Sequence, residues 1–172
     1  MSSTCFVDTN IFIRYLTHDD QQKFKTCLHL FQQAERNEIE LSTSAEIVSE
    51  VVYVLSSKHY KLPRPSIQAT LSKLLGLPGF RLPERSVYFR ALSLFATHSI
   101  DFEDCMTVAR MEQQGITNVY SYDRDFDRFG HPIIWGMGCM VSFCKVADEN
   151  KNSAGMGLLE AWYYGLITDS VP

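Results

Sequence analysis

The spacing of apolar and polar positions changes several times along the chain, and each change marks an element. Cys5-Phe6-Val7 is a short apolar run closing on Asp8-Thr9-Asn10, the pattern of a buried strand that ends on a carboxylate. Asn10 to Leu16 predicts a helix. Gln21 to Arg36 predicts another, with Phe24, Cys27, Leu28 and Phe31 at helical spacing. Glu40-Leu41-Ser42 is a strand candidate. Thr43 followed by Glu46 reads as a capping box, after which Ile47, Val48, Val51, Val52 and Leu55 trace one helix face. Many of those residues are β-branched, which lowers helix propensity, but the period decides for helix. Leu62-Pro63-Arg64-Pro65 breaks the chain before a helix from Ser66 to Leu75, and Gly76 to Gly79 is a turn. Arg81-Leu82 predicts a short strand and Ser86 to Thr97 a helix. A further helix runs from Asp101 to about Gln114, with Gly115 as its stop signal. Strands are predicted at Asn118 to Ser121 and at Ile133-Ile134-Trp135, on either side of a turn rich in Asp and Arg. Strands alternating with helices predict an α/β fold, with helices on both faces of a central, mostly parallel sheet.

From about Gly136 the periodicity fades. Five glycines punctuate residues 136–172, Ala147 to Ser153 reads as a polar linker, and Leu158 to Ile167 as a short aromatic-rich helix. At 172 residues the chain makes one domain, with a core that needs neither disulfide nor structural metal. The five cysteines are odd in number and lack a C-x-x-C pair, which fits reduced thiols in a cytoplasmic protein. No apolar run is long enough to span a bilayer, and the amino terminus does not read as a secretory signal.

Charge sharpens the picture. The net charge of −4 argues against coating nucleic acid through a general positive field. Yet Lys58, Lys61, Arg64, Lys73, Arg81, Arg85 and Arg90 face a single acid, Glu84, between Ser56 and Ile100, while acids dominate from Asp101 to Asp127. A basic flank beside an acidic pocket suits a metal-dependent enzyme acting on a polyanion; two solvated helix faces give the same composition.

The acids sit at the joints of the pattern. Asp8 follows the first strand, where a helix N-cap is the bland reading. Glu50 lies at the edge of an apolar stripe, placed either for a site or to snorkel outward. Asp101 and Asp104 share the first turn of a helix, which its dipole alone would favour. Asp123 comes straight after a strand, whereas Asp125 and Asp127 alternate with arginines like a self-neutralised turn. In an open parallel sheet ligands collect at the carboxyl ends of the strands. Several carboxylates gathered there would repel one another unless hard cations such as Mg²⁺ or Mn²⁺ neutralised them. No Gly-rich phosphate loop or Ser/His/Asp arrangement competes with that chemistry.

At Phe6-Val7-Asp8-Thr9-Asn10-Ile11, Ser49-Glu50-Val51-Val52-Tyr53-Val54-Leu55, Asp101-Phe102-Glu103-Asp104-Cys105 and Ser121-Tyr122-Asp123-Arg124-Asp125-Phe126 the chain resembles PIN-domain nucleases, specifically the VapC-type toxins of toxin–antitoxin pairs. The resemblance implies a three-layer α/β/α fold over residues 1–135 and Mg²⁺- or Mn²⁺-dependent cleavage of RNA. It also implies a cognate antitoxin and a homodimer. It makes Asp8, Glu50, Asp104 and Asp123 the catalytic, metal-binding quartet, with Asp101 a further acid and Asn10 and Ser121 as polar support. Residues 136–172 depart from the family as a C-terminal extension. The alternatives are a PIN-type nuclease of RNA processing without an antitoxin, and a catalytically silent binding module. Lys58, Lys61 and Arg64 are candidate RNA contacts. Ile11, Phe12, Phe24 and Phe31 look like more apolar surface than one core face needs, a groove for a partner helix.

Overall fold

A computed structural model describes residues 4–129 and 133–134. The expectations for residues 136–172, and for Trp135, lie outside the described residues. β1 (Thr4–Phe6) leads through α1 (Thr9–Thr17) and α2 (Gln21–Glu35) to β2 (Glu40–Ser42). α3 (Ala45–Ser56) and α4 (Arg64–Leu75) follow, then α5 (Arg85–Thr97) and α6 (Phe102–Gln114). β3 (Val119–Tyr120), a 3₁₀ helix (Arg124–Phe129) and β4 (Ile133–Ile134) close the described chain.

Among the described residues every pairing is parallel: Cys5 lies opposite Leu41, Leu41 bridges to Phe80, and Val119 lies opposite Ile133. Parallel neighbours need crossover connections, and the helices supply them. The expected short strand at Arg81-Leu82 survives only as that bridge, one residue earlier. Leu41 N–H donates to the Gly79 carbonyl and Arg81 N–H to the Leu41 carbonyl. The fold is thus α/β and strongly helical, and among the described residues the parallel strands form two small sheets, β1 with β2 and β3 with β4, rather than one continuous central sheet.

The core explains the period of each helix. Phe12, Leu41 and Phe80 are fully buried where α1 meets β2 and the 76–80 turn. The Phe12 ring lies 5.9 Å from Phe31 and 6.1 Å from Phe80. Phe12 and Phe31 are therefore core residues, which corrects the expectation that they line an apolar groove, while Ile11 and Phe24 are half-buried. α3 buries Val48, Val51, Val52 and Leu55, as its stripe predicts. α5 packs on both α4 and α6, and α3 on α1 and α6.

Two local expectations are corrected. The cap of α3 is Ser44, whose hydroxyl accepts from Ile47 N–H. Thr43 is buried instead, and its hydroxyl donates to the Val7 carbonyl at 3.0 Å, so tertiary geometry claims it. β1 is exposed rather than buried: Phe6 is 64% accessible and only Val7 behind it is covered. Among the described residues, β1 is paired along one edge only. α4 starts at Arg64, two residues before the expected Ser66, with Pro65 in its first turn, whereas Gly115 takes the left-handed conformation at φ 69° that ends α6, as expected. Cys27 and Cys105 are buried free thiols, and burial pushes Cys105 up to about 11, the state of an inert packing residue.

Candidate metal centre

Three carboxylates converge at one place. Asp104, Asp123 and Asp125 each offer an oxygen within 4.8 Å of the others. Asp104 stands in the first turn of α6, where the helix dipole favours a negative charge. Asp125 comes from the first turn of the 3₁₀ helix, and Asp123 from the turn between β3 and that helix. That turn is built by short polar side chains: Ser121 Oγ accepts from Asp123 N–H at 2.9 Å, and Asp123 Oδ1 accepts from Asp125 N–H at 2.9 Å. Ser121 thus shapes the backbone that carries Asp123. Asp125, read from sequence as part of a self-neutralised turn, belongs to the group despite an ion pair with Arg128 at 3.5 Å. The signal for it was its spacing of two from Asp123, masked by the flanking arginines.

The electrostatics are those of crowded anions. Burial first, and then Asp123, Asp101, Asp125 and Glu103, hold the Asp104 carboxyl above its usual range. Oxygen donors this close, with one member reluctant to ionise, fit a hard divalent cation.

The other acids stand in a second arrangement. Asp8 caps α1, its Oδ1 accepting from Ile11 N–H at 3.2 Å, so the capping role is real. Thr9, the first residue of α1, donates its hydroxyl to Glu50 Oε2 at 2.5 Å across to α3. Sequence reasoning missed that link, although Thr9 stands inside the Asp8-Thr9-Asn10 signature. Asn10 is exposed beside it. Glu50 and Asp101 both line a groove of about 700 Å³ between α3 and α6, together with Tyr53, Phe102 and Arg110. Asp8 and Glu50 lie outside the 4.8 Å group, and Asp101 stands between the two arrangements, lining the groove and acting on Asp104.

Of the candidate RNA contacts, Lys58 and Lys61 are exposed on the α3–α4 connection. Arg64 is half-buried, lines the groove between α3 and α6, and is engaged by the fold. Its Nη1 donates to the carbonyls of Phe95, His98 and Ile100 at 3.3, 2.8 and 2.6 Å. The guanidinium also lies 4.2 Å from the centre of the Phe95 ring. That engagement gives Arg64 a structural role, tying α4 to the end of α5.

Among the described residues no helix is long and apolar enough to cross a membrane. Compared with protein families, residues 5–132 match the model of the PIN domain. No curated protein and no solved structure gives a significant match.

Proposed function

This chain belongs to the PIN-domain family, whose members are typically metal-dependent nucleases, and from that premise we propose that it is a Mg²⁺- or Mn²⁺-dependent endoribonuclease acting as the toxin of a toxin–antitoxin pair. The observation that carries the reading is the convergence of Asp104, Asp123 and Asp125 within 4.8 Å, inside the matched region. Asp8, Glu50, Asp104 and Asp123 are the proposed site residues, with Asp101 beside them and Asp125 added by its place in the group. Bound there, Mg²⁺ or Mn²⁺ would supply Lewis acidity to an RNA phosphodiester. The chain's own part is positioning. The cap bond fixes Asp8, Thr9 holds Glu50, and Ser121 sets the turn of Asp123.

The remaining proposals follow the same family reading. Residues 1–135 form the nuclease domain and 136–172 an extension. The protein acts in the cytoplasm as a homodimer and is held in check by a cognate antitoxin.

Cleavage of total RNA with and without Mg²⁺, comparing wild type with Asp8→Asn, tests the activity. Asn caps a helix about as well as Asp, so this variant removes charge while keeping the fold. Metal-dependent cleavage lost in Asp8→Asn is the expected result; cleavage that survives the substitution sinks the assignment. Co-expression with the product of an adjacent small open reading frame tests the toxin role. If that product leaves cleavage untouched, the role passes to RNA processing.

A further inference from the structure

The carboxylates of Asp104, Asp123 and Asp125 repel one another, so contacts elsewhere must hold their two elements together. Asp104 lies in the first turn of α6, Asp123 immediately precedes the 3₁₀ helix, and Asp125 lies in that helix's first turn. The junction is the loop from His98 to Asp101 that joins α5 to α6. The loop is tied back to α5 by the His98 N–H, which donates to the Leu94 carbonyl at 2.9 Å, but Asp101, which caps α6 by position, makes no side-chain cap hydrogen bond.

It is fixed from outside by two arginines. Arg64 reaches from the start of α4 to two of its carbonyls, those of His98 and Ile100, and to the Phe95 carbonyl in the last turn of α5. It also lies over the Phe95 ring, which meets Phe102, the first residue of α6, edge to face at 6.0 Å. From the other side, Arg128 in the 3₁₀ helix donates to the Ser99 carbonyl at 3.2 Å and pairs with Asp125 at 3.5 Å. The His98 ring lies 4.9 Å from Phe129 in the same 3₁₀ helix.

We propose that Arg64 and Arg128 form a clasp on the α5–α6 loop that positions Asp101 and Asp104 against Asp123 and Asp125, and so sets the affinity of the group for a divalent cation. Both are positioning residues. The inference rests on the metal reading above, and goes beyond it by assigning two arginines, of which one looked like an RNA contact and the other like turn neutralisation.

Charge and position make opposite predictions, which gives the test its edge. Removing a cation beside carboxylates strengthens the binding of another cation, whereas loosening the loop weakens it. Arg64→Lys keeps the charge but replaces the planar guanidinium with a single ammonium, isolating geometry. Arg128→Gln removes the charge at an exposed site where the fold tolerates change. Arg90→Ala is the control, since it breaks the two-pronged pair with Glu112 at 2.6 and 2.8 Å far along α6 from Asp104.

Mn²⁺ is titrated into each full-length protein by calorimetry, and the Mn²⁺-induced rise in Tm is recorded alongside. The clasp predicts Mn²⁺ binding weakened roughly tenfold in Arg64→Lys and Arg128→Gln, as when supports of metal ligands are lost, and unchanged in Arg90→Ala. Equal or tighter binding by folded Arg128→Gln overturns it, whether or not Arg64→Lys folds. Wild-type protein that takes up no Mn²⁺ overturns the metal reading instead. Amide exchange of the metal-free proteins then decides the clasp alone: faster exchange at Asp101 to Cys105 in Arg128→Gln, and not in Arg90→Ala, supports it, and unchanged exchange overturns it.

Discussion

A carboxylate at a helix start is stabilised by the helix and destabilised by other anions nearby, and Asp8 and Asp104 show the two balances. Asp8 satisfies the Ile11 N–H, so its side-chain oxygen has a local use independent of any metal. Asp104 is crowded by burial and by four neighbouring acids, and its pKa is raised. Above the raised folded value, Asp104 is ionised in both folded and unfolded chains, and only the folded chain carries the penalty. As pH falls through that value toward the unfolded one, the folded state takes up its proton first and the penalty disappears. Asp104→Asn should therefore melt a few degrees above wild type at neutral pH without metal, with the gain fading in acid. Thermal melts across pH check this, and a variant no more stable at neutral pH would mean that Asp104 is not under strain. Added Mn²⁺ should reverse the order, because only the wild-type carboxylate gains from the cation.

At the scale of elements, periodicity carried most of the fold. Apolar stripes located α2 and α3, and Gly115 marked the end of α6, because these features depend on neighbours a few residues away. What failed was set by contacts distant in sequence. Thr43 and Ser44 are both acceptable caps, and the choice falls to Ser44 because the Val7 carbonyl takes the Thr43 hydroxyl. The turn before Phe80 shows the same dependence. Gly79 N–H donates to the Ala34 carbonyl at 2.8 Å, seating the turn on the end of α2. A Cβ at Gly79 would strike the Ile39 carbonyl oxygen and come within 2.7 Å of the Ala34 carbonyl oxygen. Backbone atoms cannot rotate away as a side chain would. Gly79→Ala should cost about 1–3 kcal/mol of stability, the range for overpacked sites. Urea unfolding measures it, and a loss below a few tenths would show that the turn shifts freely.

For the whole molecule, charge is the property that sequence stated and structure redistributed. The basic stretch from Lys58 to Arg90 suggested a continuous field, but four of its arginines serve the fold. Arg64 binds loop carbonyls, Arg81 pairs with Glu40, Arg85 donates to the Phe80 carbonyl, and Arg90 pairs with Glu112. The acidic group was legible at Asp104 and Asp123, whose positions at element starts and ends are local facts. It was not legible at Asp125, which the flanking Arg124 and Arg128 appeared to neutralise. An RNA-binding surface on this side must then rest on lysines, and Lys58 and Lys61 are exposed on the connection that leaves α3, the helix carrying Glu50. Each lysine that neutralises a phosphate releases counterions, giving a salt slope of about 0.7 per contact on single strands. Reversing Lys58 and Lys61 to Glu should weaken RNA binding and flatten the slope by about 1.4 if each makes one phosphate contact. Arg64 is left in place, so the loop and the carboxylate group stay as they are. Filter binding of a short single-stranded RNA across a salt series reads the slope directly. A double variant that binds with the wild-type slope would return both lysines to the role of solvated surface charges and move the RNA path elsewhere on the molecule.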